Sequence, residues 1–187
     1  GSSVLDQVTK RGNQPVSYLY DSTNTEVVAE VSGASLADVA FTSFERPGAT
    51  TDGGWTFSSP SIGIFRNFNF RSGKYSIISG GLTKSGLDPT KTYVISYWRT
   101  STSKLSIFNG TSGQPYWRSP VPVNGWYLHI QFVRGISSLV CFHNAGTLDP
   151  IYLDDLRLFP VGAEMKTYTY DKGRGITSSS DVDGRLT

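Results

Sequence analysis

The sequence predicts an all-β fold, and three observations carry that expectation. Short apolar–polar alternations recur along the 187 residues, Gly, Pro, Asn and Asp turns punctuate them, and no segment shows a helical period. Many short strands spaced by turns describe a β-sandwich or barrel. A hydrophobic share of 37%, with ten Tyr, ten Phe and four Trp, supplies a core for one domain of ordinary size.

The elements follow in order. Val16–Asp21 and Glu26–Val31 read as two strands in an N-terminal flank over residues 1–37. A central region, 38–161, opens with Phe41–Glu45 and the Gly53-Gly54-Trp55 turn. Tyr93–Arg99 alternates after the turn Gly86–Thr90, and Leu105–Phe108 follows, ending at Asn109-Gly110. Trp126–Val133 alternates cleanly, Ser138–Phe142 is a further strand, and Ile151–Phe159 closes the series before Pro160. A C-terminal flank, 162–187, holds Thr167–Asp171, Gly175–Thr177 and Asp183–Thr187. The flanks are expected to be disordered or to pair with each other.

Composition excludes several function classes. Charged residues make up 17% and the net charge is +2, with no basic stripe, so nucleic acid is not an expected partner. No apolar run approaches the ~20 residues that cross a bilayer. Cys141 cannot form an internal disulfide and reads as a small buried hydrophobe, and the chain is expected to be a monomer. Catalysis finds little to stand on. His129 and His143 lack a nucleophile elbow, and Asp52, Asp88 and Asp149 fall in turns rather than across a cleft. A non-catalytic domain is expected.

Three segments, in this order, carry a resemblance: Phe41-Thr42-Ser43-Phe44-Glu45 with Gly53-Gly54-Trp55, then Leu87–Trp98, then Ile151-Tyr152-Leu153-Asp154-Asp155-Leu156-Arg157-Leu158. Together they resemble the galactose-binding-like jelly rolls, in particular carbohydrate-binding modules of the family 4/9/22 type. The flanks, with Tyr-Asp at 20–21 and 170–171 and the closing Gly184-Arg185-Leu186-Thr187, resemble the Tyr-Asp (YD) repeats of bacterial RHS proteins. The resemblance implies a jelly-roll sandwich of two antiparallel sheets inserted between repeat strands. It further implies a secreted or cell-surface setting and a glycan partner. The alternative is a structural or protein-interaction sandwich with no sugar ligand, because this fold hosts many roles.

The resemblance also implies a structural calcium at Glu45 and Asp154, with Asp155 as second choice. Calcium takes six to eight oxygen ligands. The competing reading pairs Glu45 with Arg46, Arg157 or a backbone amide and needs no metal. For the glycan, strand parity sets Trp126, Leu128, Ile130 and Phe132 on one face and Tyr127, His129, Gln131 and Val133 on the other. The apolar set is taken as the core, so Tyr127, His129 and Gln131 are expected to face outward, offering a ring beside hydrogen-bonding groups. Trp98 reads equally as an outer-face residue or as a core indole. Tyr116 and Trp117, in the loop from Gly113 to Pro122, read as an exposed cluster or as a loop cap.

Overall fold

A computed structural model of the chain describes residues 5–9, 14–58, 65–109, 115–144, 150–171, 174–181 and 186–187. Gly110, Gly113, Asp149 and 183–185, used in the sequence reading, lie outside the described residues. The N-terminal flank forms β1 (Gln7–Val8), β2 (Val16–Tyr20) and β3 (Val27–Ser32). The central region begins with β4 (Ala40–Thr42), β5 (Thr51–Asp52), β6 (Trp55–Phe57), β7 (Phe65–Arg66), β8 (Ser76–Ile77) and β9 (Ser79–Ser85). It continues through β10 (Thr92–Arg99), β11 (Ser106–Ile107), β12 (Tyr116–Arg118), β13 (Tyr127–Arg134), β14 (Ser138–Asn144) and β15 (Leu153–Pro160). The C-terminal flank adds β16 (Glu164–Asp171) and β17 (Gly175–Ser180). Among the described residues the only helical element is the short 3-10 turn Leu36–Asp38. The fold is all-β.

Two antiparallel sheets make the central sandwich. One runs β12-β13-β10-β15-β8-β7, with β4 also paired to β15, and the other runs β11-β14-β9-β6-β5. Between them lies one core, in which Tyr93, Ile95, Tyr97 and Leu158 meet Leu82, Leu139, Cys141 and Trp55. Cys141 is fully buried, as its apolar run suggests. The first and last strands of the central region are neighbours, with Phe41 opposite Arg157 and Ala40 opposite Leu158.

The flanks pair with each other. β3 lies antiparallel to β16, with Val31 opposite Met165 and Ala29 opposite Thr167, in a third sheet ordered β1-β2-β3-β16-β17. This sheet covers the outer side of β4 and β15. A second core fills the gap: Leu19, Ala29, Val31 and Met165 from the flanks pack on Val39 and Phe41, with Phe159 against them. Arg157, 3% exposed, crosses the same gap. It donates to Thr167 Oγ1 (3.1 Å), to Ser180 Oγ and to the Asp181 carbonyl (3.1 Å). The sequence therefore folds as three layers rather than as a sandwich with loose ends.

One irregularity positions the later argument. Opposite β10, the register of β15 shifts so that Ser96 faces Arg157 while Trp98 faces Asp154. Two residues of β15 thus oppose Tyr97, a β-bulge, and Asp155 takes a left-handed conformation (φ 49°). The bulge breaks the alternation, and Asp154 and Asp155 are both buried.

Candidate functional site

The face of β13 is reversed from the sequence expectation. Registered opposite Tyr97, Ile95 and Tyr93, residues His129, Gln131 and Val133 point between the two sheets. His129 is 0% exposed and Gln131 7%, while Leu128, Ile130 and Phe132 stay half-buried on the outer face. The physical reason is a polar network that satisfies the inner side chains, so polarity did not mark the wet side. Tyr97 Oη accepts from Gln131 Nε2 and from the Leu105 amide, both at 2.7 Å. His129 stacks on Tyr97 with ring centroids 5.0 Å apart. Its Nε2 lies 2.9 Å from the Ser101 carbonyl and its Nδ1 2.9 Å from Tyr116 Oη. A carbonyl can only accept, so Nε2 carries the proton and Nδ1 accepts from the tyrosine. Arg99, 5% exposed, binds the Ser103 and Lys104 carbonyls in the same region.

This burial has a pH consequence. Burial pushes His129 down to about 4, and Arg99 and Arg118 push the same way. The unfolded chain takes up the proton near pH ~6.5 while the folded one refuses it until about 4. The stabilisation is therefore complete above pH ~6.5 and is lost as the pH falls through that window. Relative to His129→Gln, the wild type should lose about 2 kcal/mol of unfolding free energy between roughly pH 7.5 and pH 5. Denaturant titrations of both proteins at the two pH values measure the difference, which cancels titrations elsewhere. A constant gap would mean that His129 is protonated inside the fold.

Of the remaining expected ligand residues only Trp98 and Trp117 lie on the outer face of β10, β13 and β12. Tyr116, opposite Gln131, and Tyr127, two residues before His129, share the parity of the inner set, so Tyr127 too is reversed from the expectation. Trp117 opposes Ile130, which opposes Ser96, which opposes Arg157, so these four form one row. Trp117 is 49% exposed and Tyr116 40%. Trp98 does lie on this face but is only 6% exposed. It packs with Trp126 and Tyr152, and the Arg71 guanidinium sits 4.4 Å from its ring centroid. Arg118 likewise covers Tyr127, at 4.8 Å. The six residues Trp98, Tyr116, Trp117, Tyr127, His129 and Gln131 are thus not assembled on one open face.

The carboxylates gather around the loop from Arg71 to Tyr75. Asp154 accepts backbone amides from Arg71 (2.7 Å), Ser72 (3.2 Å) and its neighbour Asp155 (2.7 Å). Glu45 accepts those of Lys74 (2.9 Å) and Tyr75 (3.0 Å). The approach is close enough that a Cβ at Gly73 (φ +59°) would stand 2.3 Å from the Glu45 carboxylate, so a larger residue there would be strained and would displace that carboxylate. Asp155 takes the Ser72 hydroxyl at 2.6 Å through Oδ1, and its buried Oδ2 has no partner. Burial pushes Glu45 up to about 7, and burial together with the Asp155 charge pushes Asp154 well up. Against a calcium, Glu45 and Asp154 fit poorly, because five amide protons already point at their oxygens. Among the described residues no group of three or more His, Cys, Asp or Glu is placed to hold a metal ion.

The sequence reading missed a cleft of about 460 Å³ between the flank sheet and the sandwich. Its rim is held by two ion pairs, Arg46 with Asp21 and Lys74 with Asp171 (2.6 Å). Asp21 also caps the β2–β3 turn by accepting the Thr25 and Glu26 amides. Tyr75, Tyr168, Tyr170 and Asp52 line the interior. Asp52 belongs to the Thr51-Asp52-Gly53-Gly54 segment, whose turn signal hid it. No local pattern could have joined segments so far apart in sequence. No protein-family model and no curated protein matches this chain.

Proposed function

We propose that the chain is a non-catalytic β-sandwich module, of jelly-roll type, that serves as a structural or protein-contact element set into a larger β-sheet. One observation carries this reading: β3 and β16, which precede and follow the sandwich, are paired neighbours in one sheet. A module whose two ends meet as adjacent strands can be inserted into a sheet without displacing the strands on either side. The resemblance of those strands to YD repeats supports a secreted or surface repeat protein as the setting. The capped Trp98 and Tyr127, and the inward His129 and Gln131, favour this over a sugar platform on the sandwich.

Glycan binding is the second reading, and the observation that favours it is Trp117, half-open beside Tyr116 at the sheet edge. A glycan array probed with wild type and Trp117→Ala separates the two. Absence of binding supports the structural reading. Binding that Trp117→Ala weakens by about tenfold or more, the scale of a lost stacking ring, would replace it. Calcium at Glu45 and Asp154, with Asp155 as second choice, remains a proposal of the resemblance, and what supports it is the unpartnered Oδ2 of Asp155. Melting in EDTA and again after calcium is restored tests it, since a ion bound only by the folded state raises the midpoint.

A further inference from the structure

We propose that Lys84 captures a small aldehyde as an imine, in the pocket between β2 and β9. Lys84 stands on β9, half-buried, and lines a pocket of about 510 Å³ together with Asp6, Tyr18, Tyr20, Leu36 and Ala37. Among the described residues its amine makes no hydrogen bond or ion pair. The carboxylate whose charge reaches it, Asp38, is already occupied. Asp38 accepts from Lys91 Nζ and Ser35 Oγ, both at 2.6 Å, and from Tyr93 Oη at 2.5 Å. Lys74 and Lys91, by contrast, are held in ion pairs with Asp171 and Asp38.

A lysine without a partner acts as a nucleophile once its ammonium loses a proton, and desolvation favours that loss. Burial holds Lys84 below the usual lysine range, against the pull of Asp38. The titratable groups around it are Asp6, Tyr18 and Tyr20 in the lining and Asp38 at the end of the 3-10 turn. These surroundings select an aldehyde over an acyl donor. In the condensation the amine nitrogen bonds to the carbonyl carbon, and the carbonyl oxygen leaves as water with the two amine protons. The imine can then take up a proton and keep its positive charge near Asp6 and Asp38, whereas an amide would lose that charge. Leu36, Ala37 and the Tyr18 ring give the hydrocarbon part of the aldehyde an apolar surface to lie on.

The test is reductive trapping of the full chain with benzaldehyde and cyanoborohydride near neutral pH. The hydride fixes each imine as a secondary amine, and peptide mass mapping reads the yield lysine by lysine. Lys84 should be trapped about fivefold or more faster than the exposed Lys104 and Lys166. Its rate should saturate with benzaldehyde concentration, as a pocket requires, while theirs stays linear. Ala37→Phe, at an exposed position on the rim, narrows the pocket and should remove the advantage of Lys84 without changing the rates at Lys104 and Lys166. Should circular dichroism show that variant misfolded, saturation in the wild type decides alone. Trapping at Lys84 no faster than at Lys104, or a rate linear in benzaldehyde and indifferent to Ala37→Phe, overturns the proposal. So does equal selectivity for Lys84 in labelling with acetic anhydride, which would mark a generally reactive amine and no aldehyde site.

Discussion

Replacing Met165 with aspartate should lower the stability of the whole chain by about 3–5 kcal/mol, although the residue lies in the C-terminal flank. Met165 is 1% exposed and packs with Leu19, Val31 and Phe41 in the core between flank sheet and sandwich. A carboxyl there lies among apolar side chains. The cation in the gap, Arg157, is already engaged by Thr167, Ser180 and the Asp181 carbonyl, so either a poorly paired charge or a protonated acid is costly. For a chain of this size the loss corresponds to roughly 10–15 °C in melting temperature. The four tryptophans give the experiment its meaning. Trp55, Trp98, Trp117 and Trp126 all lie in the sandwich or its connecting turns, so their fluorescence reports that part alone. If the three layers fold as one unit, the fluorescence midpoint should fall with the circular-dichroism midpoint. A fluorescence transition left in place would show that the flank sheet is only tethered, and that Arg157 and the second core contribute no coupling.

Strand existence was legible in the sequence, and strand facing was not. The alternations at 93–99 and 126–133 mark β10 and β13, and the turn before β10 is signalled by Asp88, which accepts the Thr90 amide at 2.9 Å. Pairing of the flanks was legible as one of two outcomes, because their alternating strands matched in length and character. The face of β13 failed because hydropathy measures the residue and not its partners. His129 and Gln131 are paid for by Tyr97, Tyr116 and Ser101, none of which a window along β13 contains. Trp98 read equally as an outer-face residue or a core indole, and it is an outer-face residue that is buried, because Arg71 and Tyr152 from distant segments cover it. The carboxylate group was read from two strands that do run side by side. The bulge at Asp155 and the amides of the 71–75 loop, which decide what those carboxylates do, leave no local trace.

Truncating Trp55 to alanine should cost about 3–5 kcal/mol, the range for removing a large aromatic from a packed interior. The chain of causes begins in the turn before it. Gly53 has φ +49°, and a Cβ there would sit 1.8 Å from the Phe41 carbonyl, so the turn can lie against β4 only as glycine. That close approach fixes where β6 starts and aims Trp55 inward, at 0% exposure, beside Phe44 and Phe57 in the sandwich core. Its indole Nε1 donates to the Leu156 carbonyl at 3.3 Å, across from one sheet to the other and beside the bulge of β15. Two contributions are thus joined in one side chain: ring volume in the core and a hydrogen bond that satisfies a bulged strand. Trp55→Phe separates them, keeping most of the volume while removing the donor, and should cost about 1–2 kcal/mol. The remaining tryptophans keep fluorescence usable for urea titrations of both variants. A loss under about 1 kcal/mol for Trp55→Ala would mean that the two sheets hold together without it. Equal losses for alanine and phenylalanine would move the weight from packing to the bond with Leu156.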